Sequence, residues 1–312
     1  MSKAYAVRIK DREVLRHCSS GGAFTVLSDV FLKRGDAVLC AGYNYDTHQA
    51  EFRLVLTPDE RDSCRGSMYL QSFALDSWRT ALDWLKKHPE KQLIFFGVGC
   101  QGAAFRRYCE TLKILDRVTI ADIVCHGSPS PMIWREYARS LERRGRLSEI
   151  NMRDKRTGWN QSIGVARLNG EEISLSKWRV AYSSRTMLRP CCASCPYTAT
   201  ERETDVTIGD FWGIEKSMPD FYDKMGTSLL LIHTQKGLAL FEAVQETVEF
   251  RESNSRDCLQ MNLQRPTPHA ENRHEFWREY RAKGIDFVIE KYGTVSFPLR
   301  VKRKIKRLLK RR

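Results

Sequence analysis

The sequence predicts an α/β protein: a mixed sheet with parallel strand–turn–helix units, an antiparallel portion after them, and a helical C-terminal segment. Three observations carry this reading. Residues 92–97 and 118–124 are continuous apolar runs, each followed by a turn containing glycine and then a helix, which is the rhythm of a parallel sheet. From residue 147 onward the texture changes to antiparallel strands, with a hairpin turn at Asn169-Gly170. Residues 252–296 read as helical and peripheral.

In chain order, residues 5–9 alternate well enough for a short strand. Cys18-Ser19-Ser20-Gly21-Gly22-Ala23-Phe24 then leads into a helix over 25–32, with Ser19 or Ser20 as its N-cap and Gly35 closing it. Residues 37–43 and 52–56 read as strands. Arg65-Gly66-Ser67-Met68-Tyr69 makes a loop, and the helix of 73–87 turns Trp78, Leu82 and Leu85 inward. After the strand at 92–97, Gly97-Val98-Gly99 breaks the chain before Cys100, and a helix covers 101–110. The strand at 118–124 ends at Cys125-His126-Gly127. Ser128-Pro129-Ser130-Pro131 then signals the helix of 132–144. Strands at 162–168 and 172–175 flank the hairpin turn. Asp205 and Asp210 bracket a short strand, each with the chemistry of a helix or turn cap, and a strand at 229–232 with a helix after Gly237 completes the core. The expected division is an N-terminal α/β region at 1–80, an α/β core at 81–251, the helical segment at 252–296 and a basic amphipathic tail at 297–312.

The totals narrow the class. With 312 residues, 42% hydrophobic and 29% charged, the chain has the make-up of an ordinary globular protein with ample core. Its start lacks the apolar stretch of a signal peptide and no run of about 18 apolar residues occurs, so a cytoplasmic protein is expected. Ten cysteines in such a setting are ligands, redox groups or small buried residues rather than a disulfide framework. Of the net charge of +14, nine units belong to residues 300–312, leaving 14 − 9 = +5 for the rest. No specific nucleic-acid partner is therefore expected from the pI. In the tail, Val301, Ile305, Leu308 and Leu309 share one helical face among the cations. That suits peripheral contact with an anionic membrane surface, at the inner face of the membrane.

The chemistry gathers at cysteines. In Leu188-Arg189-Pro190-Cys191-Cys192-Ala193-Ser194-Cys195, Cys192 and Cys195 form a C-x-x-C pair, half of a four-ligand site. Cys100 and Cys125 stand just past the carboxyl ends of two successive predicted parallel strands, where open α/β sheets place their ligands. The four make a credible thiolate set. Zinc and an iron–sulfur cluster both accept such a set, and ligands spread over strand ends fit a redox cluster better. Cys191 is the alternative to Cys192, and His126 an outside candidate. Cys18, Cys40, Cys64, Cys109 and Cys258 default to core or surface.

Ser19, Ser20, Gly21 and Gly22 have the hydroxyls and open backbone of an anion site, or of a plain cap. Gly66 and Ser67 offer the same, with Tyr69 beside them to stack on a ring. Arg153-Asp154-Lys155-Arg156-Thr157-Gly158-Trp159 is either a receptor for an anionic cofactor, with Lys155 as its contact, or a solvated loop anchored by Trp159. There is no G-x-G-x-x-G and no P-loop, so nothing local points to a nicotinamide dinucleotide or an NTPase.

Seven stretches occur together in order: H-C-S-S-G-G-A-F (17–24), R-G-S-M-Y (65–69), G-V-G-C-Q (97–101), D-I-V-C-H-G-S-P-S (122–130), R-D-K-R-T-G-W (153–159), L-R-P-C-C-A-S-C (188–195) and D-V-T-I-G-D-F-W-G (205–213). Across about residues 8–245 the chain thereby resembles the coenzyme F420 hydrogenase/dehydrogenase beta-subunit family. The resemblance implies an iron–sulfur flavoprotein: a 4Fe-4S cluster held by Cys100, Cys125, Cys192 and Cys195 beside FAD, with FMN the other flavin to consider. Hydride would pass to or from coenzyme F420 or a related acceptor, and the Ser19–Gly22 and Gly66–Tyr69 segments would contact the flavin. Three departures stand out. No ferredoxin-like cysteine run precedes the match, which implies a separate ferredoxin-like electron-donor protein. Met68 stands where a lysine is usual, and Gly99 where a proline is common. Bacterial relatives without F420 chemistry often accompany polysaccharide-assembly genes, so the acceptor need not be a deazaflavin. The competing readings are a colourless zinc-containing binding module at a membrane surface and thiol–disulfide chemistry at Cys192 and Cys195.

Overall fold

The computed structural model describes residues 3–294. In chain order the elements are β1 (Lys3–Ile9), α1 (Arg12–His17), α2 (Ala23–Leu32), β2 (Ala37–Asn44), β3 (Gln49–Val55), α3 (Pro58–Ser63), β4 (Ser72–Phe73), α4 (Leu75–Lys87), β5 (Leu93–Val98), α5 (Gly99–Thr111), β6 (Val118–Ile123) and α6 (Pro131–Glu142). They continue with β7 (Leu147–Asp154), β8 (Ile163–Leu168), β9 (Glu171–Ser174), α7 (Ser176–Ser183), β10 (Val206–Asp210), α8 (Ile214–Ser217), β11 (Ser228–Ile232), α9 (Gln235–Glu242), β12 (Val248–Ser253) and α10 (Arg273–Tyr292). Among the described residues no helix is long and apolar enough to cross a membrane.

Nine strands form one mixed sheet in the order β12-β1-β11-β10-β6-β5-β2-β3-β4, and β7-β8-β9 form a second, antiparallel one. The centre, β10-β6-β5-β2, is parallel, and β11, β1 and β12 extend it antiparallel on one side. The α/β reading with parallel units, an antiparallel portion and a helical C-terminal segment is what the chain folds into.

Period-two alternation explains why β5 is apolar throughout. Ile94 and Phe96 enter the core under α2 and α9, with Leu27, Phe31 and Phe241. Leu93 and Phe95 enter the core under α4 and α5, with Trp78, Leu82 and Phe105. Both faces are covered, so neither can be polar.

A further core joins α6, α7 and α10 to the small sheet, around Trp134, Trp178, Phe276 and Ile289. Trp134 and Trp178 meet edge-on with centroids 4.7 Å apart. The segment read as helical over 252–296 thus begins with the end of β12, which pairs with β1 at the sheet edge. It ends in α10, which buries Phe276, Val288 and Ile289. The tail at 297–312 lies outside the described residues.

Two local expectations are corrected. Neither Ser19 nor Ser20 caps α2: its N-cap is Gly22, at φ +91° with no side-chain cap bond. The Ser20 hydroxyl donates instead to the Thr227 carbonyl at 2.9 Å. Packing is the reason. A Cβ on Gly21 would lie 2.2 Å from the Val7 carbonyl oxygen and 2.4 Å from the Ser228 nitrogen. The glycine pair is pressed onto β1 and β11, and the Ile9 N–H donates to the Gly21 carbonyl at 2.8 Å. Asp205 is not a cap either. Its carboxylate accepts from the Ile120 N–H at 2.8 Å and from the Thr234 hydroxyl at 2.6 Å, clamping β6 to the start of α9.

Candidate functional site

The register of the sheet places the first two cysteines. Val98 of β5 pairs with Ile123 of β6. Cys100 and Cys125 each follow two residues later, so both strands deliver a thiol at the same level, past their carboxyl ends. Cys100 falls in the first turn of α5.

The cysteine-rich stretch is brought to them by two fastenings. Pro129 and Leu188 form an isolated antiparallel bridge, with the Ser130 N–H donating to the Met187 carbonyl at 3.0 Å and the Arg189 N–H to the Ser128 carbonyl at 2.9 Å. Gly127, at φ +112°, lets the turn after Cys125 come close: a Cβ there would lie 3.3 Å from the Cys192 Cβ. Below, Arg202 and Asp122 form an ion pair of 2.9 Å with both side chains almost wholly buried. Gly99 has room for neither a side chain nor a ring, since a Cβ would lie 2.8 Å from the Tyr197 Cβ. The departure from proline at this position thus sits where the cysteine segment packs.

Residues Pro190–Ser194 form a 3-10 turn. Cys192 lies within this turn, Cys195 follows it with extended backbone, and the Cys191 thiol is a neighbour of the Cys192 thiol. The thiols feel one another electrostatically. Desolvation pushes Cys125 up to about 12, the charges on Cys192, Cys100 and Cys195 add to this, and the Gly127 N–H, 3.3 Å from its sulfur, opposes it. Cys100 is raised by desolvation and then by Cys195, Cys192 and Cys191. Cys192 is raised by desolvation, against a bond from the Ser128 backbone, and then by Cys191 and Cys195. Among the described residues, no group of three or more His, Cys, Asp or Glu side chains is close enough to grip a metal ion.

Cys125 also forms part of the wall of a cavity of about 280 Å³ beyond the carboxyl ends of β5, β6 and β10. Ser19, Ser20, Gly22, Gly66, Ser67 and Tyr69 all line it. Gly21 does not: it is consumed in strand contact. Gly66, at φ +114°, and Tyr69, at φ +47°, both take left-handed backbone, which for tyrosine carries a conformational cost of about 1–2 kcal/mol. Met68 packs against the further core, so an apolar side chain suits its place.

Lys155 stands apart from this cavity and beside a second cleft of about 680 Å³. Its ammonium donates to the carbonyls of Leu15 at 2.7 Å, Ser20 at 3.1 Å and Met225 at 2.6 Å. It therefore holds the Ser19–Gly22 segment by its backbone. Trp159 is an anchor, 1% exposed, and its indole N–H donates to Asp210 at 2.8 Å.

Three groups that sequence reasoning did not single out also face the cavity. Arg153 is 6% exposed, pairs with Asp210 through Nη1 and interacts with the Tyr69 hydroxyl, and its Nη2 is buried without a hydrogen bond of ordinary length among the described residues. Its guanidinium stands 5.5 Å from the ring centre of Trp212, which itself stacks on Trp159 at 4.7 Å. Tyr182, on α7, donates its hydroxyl to the Gly127 carbonyl at 2.9 Å and so braces the turn after Cys125. The signal for Arg153 was present in its cation-and-tryptophan stretch, but its charge gave no hint that it would be buried.

Comparison with known proteins bears on the family and the fold. Residues 4–77 match the family described as coenzyme F420 hydrogenase/dehydrogenase, beta subunit N-term, and residues 90–256 match the C terminus of the same beta subunit. A chain of the F420-reducing NiFe hydrogenase complex from Methanosarcina barkeri, studied by xenon derivatization, is similar in structure with a TM-score of 0.52. The likeness covers 92% of this chain and 90% of that one at 16% identity, so it speaks for the fold. No curated protein matches in sequence. With both parts of the beta subunit matched in order along one chain, the protein belongs to the coenzyme F420 hydrogenase/dehydrogenase beta-subunit family of redox proteins.

Proposed function

We propose that this protein is an iron–sulfur flavin oxidoreductase, moving electrons between a 4Fe-4S cluster, a flavin and a hydride acceptor or donor. The observation that carries the reading is the double position of Cys125. Its thiol belongs to the cavity wall and is also within electrostatic reach of Cys100, Cys192 and Cys195. When bound, the cluster would supply single-electron transfer and the flavin two-electron hydride chemistry.

The residue types present suit both groups, with the thiols as they stand too far apart to grip a single metal ion. Cys100, Cys125, Cys192 and Cys195 would hold the cluster. Backbone N–H groups at Gly127 and Ser128 already point at two of the sulfurs, as thiolate ligands require. Cys100 is exposed, which leaves a side open to a ferredoxin-like donor protein. Ser19, Ser20, Gly22, Gly66, Ser67 and Tyr69 would contact FAD, or FMN in its place. The first turn of α2 lines the cavity through Ala23, Phe24 and Thr25 and carries no acidic residue, so it suits a phosphate. Arg153 Nη2, buried without a hydrogen bond of ordinary length among the described residues, suits a carbonyl or an anionic edge of the flavin. Lys155 positions Ser20 from behind. The second cleft carries Arg16, Arg65, Lys155 and Arg156 against Asp62, Glu149 and Asp154, and the excess of cations suits an anionic acceptor such as coenzyme F420, or an acceptor met in polysaccharide assembly.

Anaerobic purification followed by iron, sulfide and flavin assays tests the reading. Serine at Cys100, Cys125, Cys192 or Cys195 should each lower iron content and bleach the broad absorption near roughly 400 nm, while Cys191→Ser should keep both. Zinc in place of iron would end the redox reading and favour the binding module. Failure of both FAD and FMN to bind would remove hydride transfer.

A further inference from the structure

Two more cysteines meet in the same cavity wall. Cys40 lies within β2 and Cys64 follows α3 as its C-cap, with 2% and 4% exposure respectively. Both line the 280 Å³ cavity. Gly42 stands two residues from Cys40 on the same face of β2. A Cβ there would lie 3.1 Å from the Cys64 sulfur, so the absent side chain is what lets Cys64 reach over the strand. Both thiols are free and belong to one buried cluster, where each acts on the other electrostatically. The Ser63 hydroxyl lies 3.8 Å from the Cys64 sulfur. Arg53 and the buried Arg61 bring positive charge to the pair.

We propose that Cys40 and Cys64 form a redox-active dithiol, oxidised reversibly to a disulfide by a small hydroperoxide that enters through the cavity. Burial of both sulfurs is why the oxidant is small rather than a peptide disulfide. Cys64 is the attacking sulfur. The neighbouring Cys40 thiol, with Ser63 and Arg53 helping, lowers it below the ordinary thiol range, whereas Cys40 is raised well above that range. The Cys64 thiolate attacks the terminal peroxide oxygen and the O–O bond breaks. A Cys64 sulfenic acid forms, and the departing oxygen leaves as an alcohol or water after taking a proton. The Cys40 sulfur then displaces that hydroxyl, which leaves as water with the Cys40 proton. In sum, two thiols lose two electrons and two protons, the hydroperoxide is reduced to an alcohol and water, and an S–S bond forms. A small thiol reverses it by exchange. Because Cys64 leads directly into Arg65-Gly66-Ser67, the bond would tie that wall of the cavity to β2. The inference does not depend on which cofactor the cavity takes.

The test is a peptide map of the full-length, anaerobically purified protein after titration with hydrogen peroxide and alkylation. A Cys40–Cys64 crosslink should form, be reversed by dithiothreitol, and appear roughly tenfold or more faster than any oxidation of Cys109, which burial pushes up to about 12. Cys40→Ser should leave a sulfenic acid on Cys64 that dimedone traps, and Cys64→Ser should leave Cys40 unmodified. No crosslink at peroxide doses that already oxidise Cys192 and Cys195 overturns the proposal. Dimedone on Cys40 in place of Cys64 overturns the assigned roles. The wild-type map decides the main point even where a variant fails to fold.

Discussion

His233 shows how a single half-buried group sets a pH dependence. Its Nε2 lies 2.8 Å from the Thr207 hydroxyl, and burial together with the Arg202 guanidinium lowers it from the ordinary 6.5 to about 4. Between those two values the unfolded chain binds more protons than the folded one. The contribution to stability is therefore complete above about 6.5 and is lost as the pH falls toward about 4. Denaturant unfolding from about pH 7 to about pH 5 should show wild type losing stability more steeply than His233→Gln, which keeps a hydrogen-bonding group and cannot titrate. Parallel slopes would remove His233 from the account. Lys155 makes the complementary point at this scale. Its charge marked it as a cofactor contact in the sequence, but its three carbonyl partners come from residues far away along the chain. Arg153, two residues earlier, lines the cavity, as does Arg65.

At the scale of elements, α2 depends on a glycine that touches no ligand. Gly21→Ala would drive a methyl group into the backbone of β1 and β11, neither of which can yield as a side-chain end would. Thermal unfolding should register a loss of about 3 kcal/mol or more. Gly170→Ala, at φ +88° with open space around it, should cost only about 1 kcal/mol. Similar losses at the two positions would show that the strand contact is not what Gly21 serves. The elements hardest to read from sequence were α7 and β12. Helix α7 has no side-chain cap and buries fully only Trp178 and Ala181. Strand β12 buries only Val248 fully, and its partner β1 lies at the opposite end of the sequence. Neither pattern carries a strong period, because neither element turns a full face to a core.

Over the whole molecule, the cavity and the thiol set share the carboxyl-end side of the parallel strands, while α10 closes a further core that meets the cavity wall at Met68 and Tyr69. The basic tail at 297–312 lies beyond this framework. Full-length protein should co-sediment with vesicles containing anionic lipid, and protein ending at residue 296 should not, with the difference shrinking as salt rises. Equal sedimentation of the two would end the idea of a membrane contact through the tail.

The sequence by itself determined the strands around 92–97 and 118–124, the cysteine that follows each, and the glycine- and serine-rich stretches that line the cavity. These are local matters: apolar periodicity, turn chemistry and ligand type are written in neighbouring residues. Only the tertiary structure decided that Leu188 bridges to Pro129, that Arg202 pairs with Asp122 beneath Gly99, and that Gly42 leaves space for Cys64 to reach Cys40. Each of those contacts joins segments well separated in sequence. Burial and strand register select such partners, and no local pattern names them.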